Sequence, residues 1–219
     1  MEMLHLEEIL NNVATHRPVY HSEADFQHTL AWEIHRIHPN AKVRLEQPYT
    51  YMQNSKPIHV DIYLELNDLK VFIELKYKTR KLAIEFSQER YVLTDHSAQD
   101  TGRYDFIKDI SRIERLTKTT DNAVGYAVLL TNDSSYWNSS SKAHSIDADF
   151  RIPEDRNLQG ILKWSDNASK GTKKNRNTPL ILQNTYTVKW NDYSTLEASR
   201  YRCFRYVLIK VDNRFSSKA

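Results

Sequence analysis

The sequence predicts one α/β domain built on a mixed β-sheet flanked by helices. Three observations carry that reading. Two helical segments precede the first strand-like stretch. Residues 60–78, VDIYLELNDLKVFIELKYK, read as two strands around a turn, and a helical segment over 100–118 leads into the apolar run VGYAVLL at 124–130. At 219 residues the chain suits one well-buried domain, 1–219, and is short for two.

Each element has a local cause. Residues 3–14 place Leu6, Leu10 and Val13 at helical spacing. A second helix begins at Ser22, an N-cap residue with Asp25 three positions on, and its apolar stripe is Phe26, Leu30, Ile34 and Ile37 before Pro39 stops it. Residues 43–51 read as a strand, Pro57 precedes the hairpin, and residues 83–100 carry no clear period. Over 100–118, Phe106, Ile110 and Ile113 share a helix face, with Ile107 and Leu116 at its edges. The core of the domain therefore spans about residues 20–130. Residues 131–179 turn to Ser, Asn, Asp and Lys, an extended polar insertion of a length that is uncommon unless functional or mobile. LILQNTYTVKW at 180–190 and YRCFRYVLIKV at 201–211 restore strand-like sequence within 180–212.

Composition narrows the chemistry. The net charge of +3 conceals a split: residues 1–150 hold 17 Lys/Arg against 22 Asp/Glu, whereas residues 151–219 hold 14 against 6. A basic C-terminal third beside a carboxylate-rich first part suits a polyanion-binding surface next to an acidic site. Four glycines occur, none in a Gly-rich phosphate-binding loop, and GxSxG is absent. One cysteine, Cys203, excludes an intrachain disulfide and a thiolate metal cage. No apolar run approaches the ~20 residues of a membrane span, and no signal-peptide core is present, so a cytoplasmic protein is expected.

The hairpin at 60–78 carries charges that a plain hairpin does not need. Alternation puts Val60, Ile62, Leu64 and Leu66 on one face and Asp61, Tyr63 and Glu65 on the other. In the second strand Val71, Ile73 and Leu75 oppose Phe72, Glu74, Lys76 and Lys78. With NDLK, 67–70, as a symmetric turn, Leu66 pairs with Val71. Asp61 then lies across from Lys76, and Tyr63 across from Glu74. Asp61 and Glu74 become diagonal neighbours with backbones ~7–8 Å apart, within reach of one ion. Val71, Phe72, Ile73 and Leu75 make the second strand nearly continuous in apolar residues, which implies burial on both faces, and buried charges need partners or a metal. The bland alternative is a cross-strand Asp61–Lys76 ion pair on a wet face.

Asp61, followed after twelve residues by Glu74-Leu75-Lys76, resembles the PD-(D/E)xK nuclease superfamily, the restriction-endonuclease-like fold. The residue before Asp61 is Val60 where that motif has proline, with Pro57 four residues ahead of Asp61. The resemblance covers about residues 20–130. It implies Asp61 and Glu74 as metal ligands, Lys76 as the catalytic lysine, and Glu23, at the start of the second helix, as an accessory catalytic ligand. It also implies Mg²⁺ as cofactor, with Mn²⁺ as a substitute, and hydrolysis of phosphodiester bonds of a nucleic acid, DNA ahead of RNA, a choice the sequence leaves open. The restriction, phage-defence and repair settings stay open. A non-catalytic nucleic-acid-binding or assembly module on the same fold is the alternative.

Other candidates are weaker. Gln27 lies one turn beyond Glu23 on the same helix face. Arg80 and Lys81, just past the Glu74 strand, and Lys173, Lys174 and Arg176 in SKGTKKNRN are candidate nucleic-acid contacts. Arg103, Lys108, Arg112 and Arg115 read as a solvated helix face. Five histidines, His16, His21, His28, His35 and His38, complete no recognised zinc spacing and read as structural or surface residues. A homodimer suits double-strand cutting.

Overall fold

The computed structural model describes residues 4–50, 57–139, 145–198 and 200–212. Two helices come first, α1 (Leu6–Ala14) and α2 (Glu23–Ile37), followed by strands β1 (Lys42–Tyr49), β2 (Ile58–Leu66) and β3 (Leu69–Lys78). A small hairpin, β4 (Leu82–Phe86) and β5 (Glu89–Leu93), precedes helix α3 (Gln99–Thr119) and strand β6 (Ala123–Thr131). The chain closes with β7 (Asn157–Leu162), β8 (Leu180–Thr187), β9 (Trp190–Thr195) and β10 (Cys203–Val211). Six strands form the main sheet in the order β1-β2-β3-β6-β10-β9, and only the β3–β6 pair is parallel. The molecule is thus mixed α/β, with a mostly antiparallel sheet flanked by three helices. No helix among the described residues is long and apolar enough to cross a membrane.

Both faces of the sheet are covered. On one, α1, α2 and the β4–β5 hairpin pack over Ile62, Leu64, Val71, Ile73, Leu75, Val128 and Tyr206. On the other, α3 and the β7–β8 pair pack over Ala127, Leu129, Val207 and Ile209. This accounts for the unbroken apolar run of β3 and the full burial of β6. Gly125 sets the spacing, because a Cβ there would stand 1.9 Å from Ile113 Cγ2 of α3. Ser22 caps α2 as its sequence predicts, its Oγ accepting the Asp25 N–H.

Two expectations are corrected by this architecture. The polar insertion at 131–179 is built into the fold: Tyr136, Phe150, Ile152, Leu158, Leu162, Trp164 and Ala168 are buried with α3 in the second core. Its apolar residues are few but large, and Trp164 stacks on Tyr104 while its indole N–H donates to the Arg176 carbonyl. The stretch 180–190 also divides, β8 pairing with β7 in a separate sheet while Trp190 opens β9 at the edge of the main sheet.

The hairpin register differs as well. Leu66 pairs with Leu69, and Leu64 with Val71, so the turn is the two residues Asn67-Asp68 rather than four. Asn67 adopts φ 54°, a left-handed conformation that asparagine tolerates, and Asn122 clamps the turn by donating to the Asp68 carbonyl and accepting the Lys70 N–H on its own carbonyl. A shift of two keeps each residue on its face, but it places Tyr63 against Phe72.

Candidate active site

The β2–β3 ladder ends at Ile62–Ile73, although β2 continues to pair with β1 down to Ile58. The hairpin therefore splays at its open end, and β3 N–H groups there lose their strand partner. Two carboxylates take them: Asp61 Oδ2 accepts from Leu75 N–H at 2.6 Å, and Glu23 Oε2 accepts from Tyr77 N–H at 2.8 Å. Gln27, from α2, donates to the Asp61 carbonyl at 2.6 Å and to Glu46 Oε1 at 2.8 Å. The register carried one residue past the last pair sets Asp61 across from Glu74 rather than from Lys76.

The β1–β2 pair is irregular at the same level. Glu46, the residue facing Asp61 in that register, has φ 52° and makes no ladder pair. Before it, Val43 and Leu45 pack on the core beneath α1 and α2; beyond it, Tyr49, Ile58 and Val60 belong to a cluster with Tyr63, Phe72 and Leu116. Val60 thus leaves the apolar row of Ile62, Leu64 and Leu66 that simple alternation assigns it. A non-glycine residue held in the left-handed region costs about 1–3 kcal/mol, and such strain persists where surrounding structure enforces it.

Helix α3 supplies the rest. Lys76 Nζ lies 2.7 Å from Asp109 Oδ2 and donates to the Leu75 carbonyl at 2.9 Å. Glu74, 2% exposed, has Oε1 3.2 Å from the Arg112 guanidinium. Arg112 also bonds Asp109 Oδ1 at 2.9 Å and the His59 carbonyl of β2 at 2.8 Å. Glu74, Lys76, Asp109 and Arg112 form one buried ionic network between strand and helix. The solvated-face reading of α3 is corrected here for Arg112 and also for Arg103, which is buried and pairs with Asp147.

Electrostatics follow from the crowding. Burial pushes the Asp61 carboxyl up to about 6, with Asp109 and Glu23 adding to the rise against Lys76 and the Leu75 N–H. Burial, then Asp109 and Asp61, raises Glu74 well above the usual carboxylate range, opposed by Arg112 and Lys76. Burial alone would lower the Lys76 ammonium, but Asp109, Glu23 and Asp61 outweigh it and hold it above its ordinary value. Four carboxylates (Glu23, Asp61, Glu74, Asp109) thus surround two cations, Lys76 and Arg112.

No family model matches this chain, and neither a curated protein nor a solved structure matches it.

The donor chemistry suits a hard divalent cation. The carboxylates outnumber their cationic partners and all offer oxygen, and the buried Glu74 Oε1 meets the Arg112 guanidinium at 3.2 Å without a well-aligned hydrogen bond. Asp61 and Glu74 would hold such an ion, with Glu23 nearby. Among the described residues no group of three or more His, Cys, Asp or Glu side chains is arranged to hold a metal ion. A site of two carboxylates completed by water and a substrate phosphate needs no such group.

The sequence-predicted nucleic-acid contacts scatter. Arg80 lies just past the C-terminal end of β3, ion-paired to Asp95 at 3.2 Å and set over the Tyr201 ring, and Lys81 beside it is exposed. Lys173 and Lys174 lie in a turn of the 163–179 connection. Arg176 there makes a bidentate pair with Asp105 at 2.8 and 2.6 Å. Asp109 and Glu46 are the participants that sequence reasoning missed, while Arg112 was named only as part of a solvated helix face. The Asp109–Arg112 spacing of three, on the same helix as the apolar stripe, was the one available signal.

Proposed function

We propose that this protein is a metal-dependent nuclease of the restriction-endonuclease-like fold that hydrolyses phosphodiester bonds of DNA. The observation that carries the reading is the meeting of Asp61, Glu74, Lys76 and Glu23 at the splayed end of one hairpin, two of them fixed by backbone N–H groups. A divalent cation held by Asp61 and Glu74 supplies a more acidic bound water and offsets phosphate charge. Lys76, kept protonated by the acids around it, presents an ammonium to the anionic phosphate. Asp109 orients that ammonium, and Arg112 limits the repulsion between Asp109 and Glu74. Gln27 holds the Asp61 backbone and so positions the carboxylate.

A second reading, a non-catalytic nucleic-acid-binding module, is favoured by one feature: Glu74 and Lys76 each already have a partner on α3. Cleavage of plasmid and of single-stranded DNA in Mg²⁺ or Mn²⁺ separates the two. The parent chain is expected to cut, and Lys76→Ala and Asp61→Asn to be inactive. Asp61→Asn keeps the acceptor for Leu75 N–H, so its inactivity is not attributable to unfolding. Undiminished cleavage by either variant would overturn the assignment. Salt-sensitive binding by a parent that never cuts would establish the second reading.

A further inference from the structure

Trp32, on α2, is 73% exposed, the most exposed large apolar side chain among the described residues. Grooves flank it on both sides. One, of about 510 Å³, runs between α2 and edge strand β1 over Ala31, Val43 and Leu45, with His28, His35, Lys42 and Arg44 along it. The other, of about 710 Å³, lies between α1 and α2 and includes His28 and Arg36. Four cationic side chains, Arg17, Arg36, Lys42 and Arg44, line the two grooves against one acid, Glu33. Arg17 is held by Asp25, Arg36 by the buried Glu33 and Lys42 by Glu65, whereas Arg44 has no carboxylate partner among the described residues.

Along β1 the first groove ends one residue before the level of the candidate active site. Leu45 lines its floor, and the next residue, Glu46, receives the Gln27 hydrogen bond and faces Asp61. Arg44 is therefore about two strand residues, roughly 7 Å, from the level of Asp61.

We infer that the α2–β1 groove binds a single strand of nucleic acid, with a base stacked on Trp32 and phosphates beside Lys42 and Arg44. The inference deepens the nuclease reading and rests on it for its catalytic meaning. An exposed indole amid cations fits this occupant on two counts. The charge complements a phosphate backbone, and the indole offers a π-face that only an unstacked base can meet. A duplex keeps its bases stacked on one another and presents mainly phosphates to such a ridge.

The test is a titration of the full chain with a dT20 oligonucleotide in EDTA, which separates binding from cutting. Of the four tryptophans, Trp164 and Trp190 are buried and Trp137 is half-buried, so Trp32 is the solvent-facing reporter. Expected results are quenching of the exposed emission and tighter binding of dT20 than of a 20-base-pair duplex. Trp32→Ala should lose the quenching and bind dT20 about 10-fold more weakly or worse. Arg44→Glu should weaken binding and flatten its salt dependence. Absence of quenching at low salt overturns the inference, as does dT20 affinity unchanged in Trp32→Ala. Trp32-dependent self-association in sedimentation, without oligonucleotide quenching, overturns it in favour of a second copy of the chain. Cleavage without Trp32-dependent binding removes this groove and leaves the nuclease reading. Trp32-dependent binding by a chain that never cuts does the reverse.

Discussion

Replacing Asp61 by asparagine should stabilise the folded protein while removing its proposed chemistry. Burial and the nearby Asp109 and Glu23 lift the Asp61 carboxyl from 3.8 to about 6. The folded state then holds that proton about 150-fold more tightly than the unfolded chain, which is about 3 kcal/mol. The sign is fixed by linkage. Relative stability from this group is fully present below pH 3.8 and is lost as pH rises through about 6, after which it is flat. An amide is a permanent stand-in for the protonated acid, and its oxygen can still accept the Leu75 N–H. Asp61→Asn should therefore exceed the parent by up to about 3 kcal/mol at pH 7.5 and by about 1 kcal/mol at pH 4.5. For a chain of this size the larger figure is roughly 6–12 °C in melting midpoint. Urea unfolding of both proteins at the two pH values measures the difference directly. A variant less stable than the parent at pH 7.5, or an advantage that does not change with pH, would refute the reasoning.

The same network makes further predictions. Arg112→Ala leaves Glu74 and Asp109 buried without their shared cation, and should cost about 3–5 kcal/mol at pH 7.5. Because Glu74 binds a proton more readily when folded, that cost should shrink in the same urea assay at pH 5. Mg²⁺ or Mn²⁺ at a hundredfold excess over its dissociation constant should stabilise the parent by about 2.7 kcal/mol, read as a concentration-dependent melting midpoint. Asp61→Asn should lose most of that response; an equal response in both proteins would remove Asp61 from the ligand set.

What could be read in the sequence was what local chemistry dictates. The alternation of β3 and of β2 from Ile62 onward, the Ser22 cap and the two-sided burial of β3 follow from neighbouring residues, and all are present; Val60, beyond the splay, is the exception. The register was not legible, because NDLK fits a four-residue turn as well as a two-residue one. The choice is made by Asn122, some 55 residues away, which clamps Asp68 and Lys70. Asp109 escaped notice, and Arg112 was read as a solvated face, for the same reason: a helix–strand ion network across more than 30 residues leaves no periodic trace. The aromatic residues of 131–179 were too sparse to look like core, yet each fills a large volume against α3.

The splay of β2 from β3 explains why the charges stand where they do. A strand that leaves its partner strands backbone donors, and water cannot readily serve them in a sheet covered on both faces. Asp61 and Glu23 serve those donors, so the backbone at the open end of the hairpin depends on the same carboxylates that the proposed chemistry uses. Structural and chemical demand thus fall on one side chain, and neither alone accounts for it. An ordinary hydrogen-bond acceptor would satisfy Leu75 N–H without the cost of a buried charge, as asparagine should. That an aspartate stands there, among Glu23, Glu74 and Asp109 and carrying that cost, is better explained by a need for anionic oxygen than by a need for an acceptor.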